Sequence, residues 1–243
     1  MAGSYKARGI VLHTVKYGES SLVAYLFTDV GGRQTYMIQG VRSSRGRGNK
    51  AALFQPMFLL EFEGVEQPHA EMHRMKEVRN LVPLSSVPFD VRKSTVSLFM
   101  AEVLYRLIRE VEANEPLFDF ICSAVQQLDR MEQGVANFHL WFLVRLSAYL
   151  GFYHGNEYRD GGWFDIRSGL FCDAMPQHRT CMGPASARLL GGLMEREAAE
   201  LDSLRLGRGE RLEFMEAMLI FFGYHFDAIH SVQSLRILRE VFC

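Results

Sequence analysis

The chain has 243 residues, 48% of them hydrophobic and 23% charged, so there is apolar material for a packed core and length for one large or two modest domains. No run approaches the roughly 18 consecutive apolar residues of a membrane span. The start, Met1-Ala2-Gly3-Ser4-Tyr5-Lys6, lacks the apolar stretch of a secretory signal, so a cytoplasmic protein is expected.

Four cysteines (Cys122, Cys172, Cys181 and Cys243) form no CxxC pair, which fits free thiols in a reducing compartment. The net charge of −1 hides an asymmetry. Residues 1–80 hold four Lys and seven Arg against seven acids, a balance of +4, and the remainder carries −5. A basic N-terminal unit on a mildly acidic body suits a one-sided polyanion binder.

In chain order, the first 80 residues read as strands. β-Branched and apolar residues dominate 9–15, 22–28, 35–41 and 57–65, with a fifth strand near 69–76. Turn residues separate them: Tyr17-Gly18-Glu19, Asp29 to Gly32, and an Arg/Gly/Ser/Asn run over 42–49. The stretch Leu22-Val23-Ala24-Tyr25-Leu26-Phe27 is apolar on both faces, which suggests a strand inside a closed barrel. Five short strands in this length fit a Greek-key barrel such as the OB-fold.

Pro83 and Pro88 punctuate a connector. Asp90 is placed to cap a helix running to about residue 113, with Leu98, Ala101, Tyr105 and Ile108 on one face. Pro116 suits the first turn of a second helix through about Met131, and a third spans 135–150 and stops at Gly151. Residues 152–184 are rich in Gly, Asp and Arg and have no long period. Helices are expected again over 185–201, 209–226 and 231–242. The fold class is therefore α+β with two domains: a five-stranded OB-fold barrel over 1–80 and a helical domain over 81–243, carrying a loop-rich insert at 152–184.

No catalytic constellation is evident, and no cofactor is expected. Neither G-x-S-x-G nor H-E-x-x-H occurs, and the Gly-rich stretch from Gly40 has Arg45 where a P-loop needs its second Gly. Glu61 and Glu63 share one side of a strand and read as a solvated face. In the insert, Cys172, His178 and Cys181 are weak metal candidates. Zinc would need a fourth ligand such as His154 or Asp165, and the alternative is a short hairpin with Trp163, Phe164 and Phe171 packed on the helices.

The basic run is the strongest functional signal. Arg42, Arg45, Arg47 and Lys50 lie between the third and fourth predicted strands, on a loop that Gly46, Gly48 and Asn49 keep supple. Cations on such a loop can follow a phosphate path. Lys6, Arg8 and Arg33 extend the candidate DNA-binding set, and Tyr5, Tyr17, Tyr25 and Tyr36 are candidate stacking platforms, with Tyr25 and Phe27 alternatively core.

Specific motifs then carry a resemblance. They are Lys6-Ala7-Arg8-Gly9-Ile10-Val11-Leu12-His13, Tyr17-Gly18-Glu19-Ser20-Ser21-Leu22, Phe27-Thr28, Gly31-Gly32-Arg33, Gln39-Gly40-Val41-Arg42, Leu53-Phe54-Gln55-Pro56, and the tail from Leu235 to Phe242. Together they resemble the RecO family of bacterial recombination mediators, in matching order from end to end. The resemblance implies binding of single- and double-stranded DNA and annealing of complementary strands. It also implies partnership with RecR, sometimes with RecF, and with the C-terminal tail of single-stranded DNA-binding protein, in the service of RecA. Many members carry two CxxC pairs in the insert; here Trp163-Phe164-Asp165-Ile166 and Gly169 remain without them, as in a zinc ribbon that has lost its metal.

An acidic tail ending in apolar residues needs an apolar wall beside a cation, and Trp141 with Arg145 on the third helix is the candidate seat. The alternative for those aromatics is bundle core. The alternative for the whole chain is a protein–protein adaptor whose barrel no longer binds DNA, although an adaptor has no need of four cations on one loop.

Overall fold

The computed structural model describes residues 3–41, 50–65, 70–152, 157–226, 229 and 232–242. Five strands, β1 (Ser4–Tyr17), β2 (Ser21–Thr28), β3 (Gly32–Ile38), β4 (Leu59–Val65) and β5 (His73–Asn80), close a barrel in the order β1-β2-β3-β5-β4. β1 serves two neighbours: Ser4 to Ile10 pair with β4 and Gly9 to Tyr17 with β2, the latter ladder interrupted by a bulge at Leu12. β3 and β5 close the barrel by a short parallel contact, Tyr36 opposite His73 and Met37 opposite Arg74. This is the OB-fold arrangement. A 3-10 turn over Lys50–Phe54, not anticipated from the sequence, brings buried Phe54 to the barrel core.

The two-faced apolarity of β2 has a different cause from the one expected. Leu22, Ala24 and Leu26 fill the barrel, but Phe27 belongs to a second, larger core shared with the helices. Ile10, Leu12, Met57 and Leu59 join it there. The barrel is thus covered on its outside by the helical region, and strands there bury both faces.

That region comprises α1 (Val91–Leu107), α2 (Glu115–Arg130), α3 (Val135–Tyr149), α4 (Pro184–Glu195), α5 (Arg208–His225) and α6 (Ser234–Phe242). Asp90 caps α1 by accepting from the Arg92 and Lys93 amides, and Asn114 caps α2 through the Leu117 amide. α1 ends six residues before the predicted limit, because the chain after it turns to meet the barrel. Its buried face holds Val96, Phe99, Met100, Val103, Leu104 and Leu107, rotated from the predicted one: Ala101 and Ile108 are buried but Leu98 is exposed. The helix predicted over 185–201 stops at Glu195, and a separate 3-10 turn covers Ala198–Glu200.

The insert is a three-stranded sheet rather than a hairpin, with β6 (Trp163–Asp165) between β7 (Leu170–Cys172) and β8 (Cys181–Met182). Phe164 and Phe171 are buried, and Phe164 meets Phe221 of α5 at 6.0 Å.

Two devices fix the barrel against the helices. Gly32 has φ +58°, a conformation that suits glycine, and a Cβ there would sit 2.4 Å from the Glu112 carbonyl oxygen and 2.6 Å from that of Glu110. The connector before α1 is held by Asp129 of α2. Its carboxylate accepts from the Ser85, Ser86 and Val87 amides at 2.8 Å each and from the Ser85 hydroxyl. The Lys93 ammonium donates to the Asp129 carbonyl and the Ser86 hydroxyl.

Gly32→Ala should cost at least about 1–2 kcal/mol from the left-handed conformation alone, plus the backbone collision, read as a lower urea midpoint. A second expectation concerns pH. Burial would raise the Asp129 pKa, but the amide and hydroxyl donors outweigh it and hold it at about 2, against an ordinary 3.8. A carboxylate depressed in the fold stabilises above its unfolded pKa and loses that contribution as pH falls through the folded one. Wild type should therefore exceed Asp129→Asn by about 2 kcal/mol at neutral pH, and the difference should shrink between about pH 4 and pH 2 in urea titrations.

Candidate nucleic-acid interface

Strand alternation decides which way each candidate cation points. β1 residue Lys6 stands opposite Glu63 and Arg8 opposite Glu61 on the β1–β4 side of the barrel. There Lys6, Glu61, Glu63, Glu77 and Arg79 line a shallow cleft in which three acids face two bases. Arg79 grips Glu61 at 3.0 Å and lowers its pKa, and the Ser4 hydroxyl bonds Glu63. This face carries no cationic excess.

Arg8 and Arg33 are engaged at the seam with the helices. The Arg8 amide and Nε donate to the two carboxylate oxygens of Asp29 at 2.9 and 2.8 Å. Its guanidinium lies 5.0 Å from the Phe118 ring centre and 3.6 Å from Asp119. The hydrogen bond to Asp29 raises the Arg8 pKa against the opposing effect of burial. Arg33 sits 5.5 Å over the Tyr105 ring and donates to the Tyr105 carbonyl, while its amide bonds the Glu110 carbonyl. Both arginines thus bind the barrel to α1, α2 and the segment between them.

Across β5, where Lys76 stands opposite Glu63, a cleft of about 290 Å³ gathers Lys50, Arg74 and Lys76 together with Met37, Gln39 and Glu77. All three cations are exposed. The cleft opens where β3 and β5 part after their short contact. Residues 42–49, with Arg42, Arg45 and Arg47, lie outside the described residues. Val41 donates its amide to the Ser20 carbonyl at the β1–β2 turn, and Lys50 begins the 3-10 turn.

Arg74 and Lys76 were missed from the sequence. Their signal was there, two cations at strand spacing in a segment expected to be β, but the nearby acids Glu71 and Glu77 hid it.

The tyrosines also separate. Tyr36 is enclosed in the barrel, its pKa raised by burial and by hydrogen bonding to Tyr5. Tyr25 packs on Tyr105 at 5.2 Å, in the seam. Tyr17 is exposed at the end of β1.

Trp141 and Arg145 are held by α4. Trp141 is buried against Phe138, and its indole N–H donates to the Arg196 carbonyl at 2.9 Å; Arg145 donates to the Met194 carbonyl at 3.1 Å. They satisfy carbonyls at the end of that helix.

In the insert, His178 Nε2 pairs with Asp165 at 3.2 Å, and Cys172 is directed to the Ala174 carbonyl. Cys172 and Cys181 flank β6 on opposite sides, two strand spacings or about 10 Å apart. Thiolates sharing a zinc ion lie about 2.3 Å from it, so this spacing does not suit a common ion. Among the described residues no group of three or more His, Cys, Asp or Glu is placed to hold a metal.

The matches to known proteins cover both parts of this architecture. Residues 1–82 match the family model described as Recombination protein O N terminal, and residues 88–230 match Recombination protein O C terminal. The chain belongs to the RecO family. Among its relatives, the DNA repair protein RecO of Bacteroides fragilis is 35% identical over 239 residues, covering 98% of each chain. Those of Phocaeicola vulgatus and Flavobacterium psychrophilum are 34% and 33% identical, again over 98% of each chain. Membership places the chain among DNA repair and recombination proteins. Among the described residues no helix is long and apolar enough to cross a membrane.

The separation of the cations makes a two-sided prediction. Arg8→Ala should lower the urea midpoint and leave the salt dependence of nucleic-acid binding unchanged. The double change Arg74→Ala and Lys76→Ala should leave the midpoint unchanged and flatten log affinity against log salt by about two units on duplex DNA.

Proposed function

We propose that this RecO-family chain is a DNA-binding recombination mediator that uses its barrel as the nucleic-acid module and its helical region as the platform for partners. It binds single- and double-stranded DNA and anneals complementary strands. With RecR, and with RecF where required, it helps RecA load onto DNA coated with single-stranded DNA-binding protein. It works in the cytoplasm, at the nucleoid, and without catalysis. The observation that carries this reading is the cleft of Lys50, Arg74 and Lys76 at the β3–β5 side of the barrel, with Lys50 directly following the arginine-rich stretch 42–49 in sequence. Cations gathered on one open face neutralise a phosphate track, whereas cations tied into ion pairs do not.

The tail of single-stranded DNA-binding protein belongs to the same proposal. Its seat, however, is less suited to Trp141 and Arg145 than the sequence suggested, because both donate to carbonyls at the end of α4.

The adaptor reading lacks a comparable observation, since an adaptor has no use for a cleft whose three cations, among the described residues, form no ion pair. A gel-shift titration with single-stranded and duplex DNA over a salt series tests the proposal. Replacing Arg42, Arg45, Arg47 and Lys50 with Ala should reduce the slope by about three to four units on duplex DNA, in a protein with an unchanged unfolding midpoint. An unchanged slope would remove the segment from the interface.

A further inference from the structure

The outward face of β1 and β2 changes character along its length. Near the helices it is covered: Phe27 packs on Phe118, and His13 and Tyr25 pack with Tyr105. Toward the β1–β2 turn the same face emerges. His13, Val15 and Tyr17 alternate along β1 opposite Tyr25, Val23 and Ser21 of β2, and Val15 and Tyr17 are 45% and 56% exposed. The row continues across the sheet. Val23 stands opposite Met37, and Met37 opposite Arg74; Gln39 and Lys76, two residues further on, line the same cleft.

The end of this face therefore presents one exposed aromatic ring, at Tyr17, then polar and apolar positions, then two cations. Three strand spacings, about 14 Å, separate β1 from β5 across the sheet. Among the described residues the Tyr17 ring joins no aromatic pair, unlike the rings of Tyr25 and Tyr36. The turn that carries it is anchored, because the Ser20 carbonyl accepts from the Val41 amide at 2.9 Å.

We propose that Tyr17 stacks on an unpaired base of a strand whose phosphates lie on Arg74 and Lys76, and that this contact makes the interface favour single-stranded over duplex nucleic acid. The proposal rests on the nucleic-acid reading above and adds strand discrimination to it. Bases within a duplex are already stacked on their neighbours and offer no free face to a ring, whereas every unpaired base does, whatever its sequence. Phosphate contacts from Arg74 and Lys76 are available to both forms and give no preference for single strands.

The test uses the full chain and fluorescence anisotropy with three probes of equal length: an oligothymidine, a blunt duplex, and an oligothymidine with abasic sites along its length. Tyr17→Ala should weaken oligothymidine binding about 5- to 150-fold, the span of base–aromatic stacking. It should leave duplex affinity within about twofold and both salt slopes unchanged. Tyr17→Trp should restore single-strand binding, with indole fluorescence quenched on the oligothymidine but not on the duplex. The abasic strand should bind wild type and Tyr17→Ala alike. Equal losses on single strand and duplex, or no loss on either, would overturn the proposal and leave the cationic cleft standing. Wild type that binds none of the probes would overturn the nucleic-acid reading and this proposal with it.

Discussion

The Arg8–Asp29 clamp is the interaction on which the rest of the architecture turns. Two strands of the barrel and one helix meet at a single guanidinium: β1 supplies it, the β2–β3 turn supplies the carboxylate, and α2 supplies the Phe118 face and Asp119. Beside it, the backbone at Gly32 approaches the Glu110 and Glu112 carbonyls too closely for any side chain, and Arg33 spans from there to Tyr105. The approach is directional, since a planar guanidinium with bonds to a carboxylate and a ring against its face fixes orientation as well as contact. Phe27, Ile10 and Leu59 then bury their outward faces in the helical core. With that side of the barrel closed, the exposed cations Lys50, Arg74 and Lys76 gather elsewhere on it.

This division explains what could be read from the sequence. The barrel was legible because its strands alternate and its turns carry Gly and Asp at the breaks. α1 and α2 were legible because Asp90 and Pro116 are local signals that hold without tertiary context. The end of α1 was not, because nothing local stops a helix at Leu107; the chain leaves it so that Glu110 can receive the Arg33 amide, a contact 77 positions away in sequence. The candidate site was harder for the same reason. Charge counts treat every Arg alike, and Arg8, embedded in a recognisable motif, looked as available as Lys50. Only the pairing pattern shows that Arg8 and Arg33 are held in the seam while Arg74 and Lys76 stand on the open face.

Several of the motif residues are therefore held by the fold itself. Gly31-Gly32-Arg33 is constrained by close backbone packing, and Lys6-Ala7-Arg8 by the clamp and by strand pairing with β4. Such positions tolerate little, because each satisfies several geometric demands at once. A phosphate-binding surface makes weaker demands: counterion release depends on how many cations lie along the track far more than on the angle of any one of them. Cations on such a surface could shift by a residue or more and keep the interaction, which makes them poor sequence markers.

The insert shows how a small sheet holds its shape around an acidic residue. A sheet of strands only two and three residues long has too little pairing to be stable alone. Asp165 accepts from the Arg167 and Ser168 amides and from His178, tying the β6–β7 turn to the segment before β8, although burial acts against its charge. Beneath it, Phe164 packs on Phe171 and on Phe221 of α5, so the sheet borrows the helical core instead of building its own. A bound ion would supply the same two services, a charge-based cross-link and a fixed centre for the turns. Here a carboxylate does the first and an aromatic cluster the second. The two cysteines, on opposite sides of β6, flank this arrangement without being needed by it.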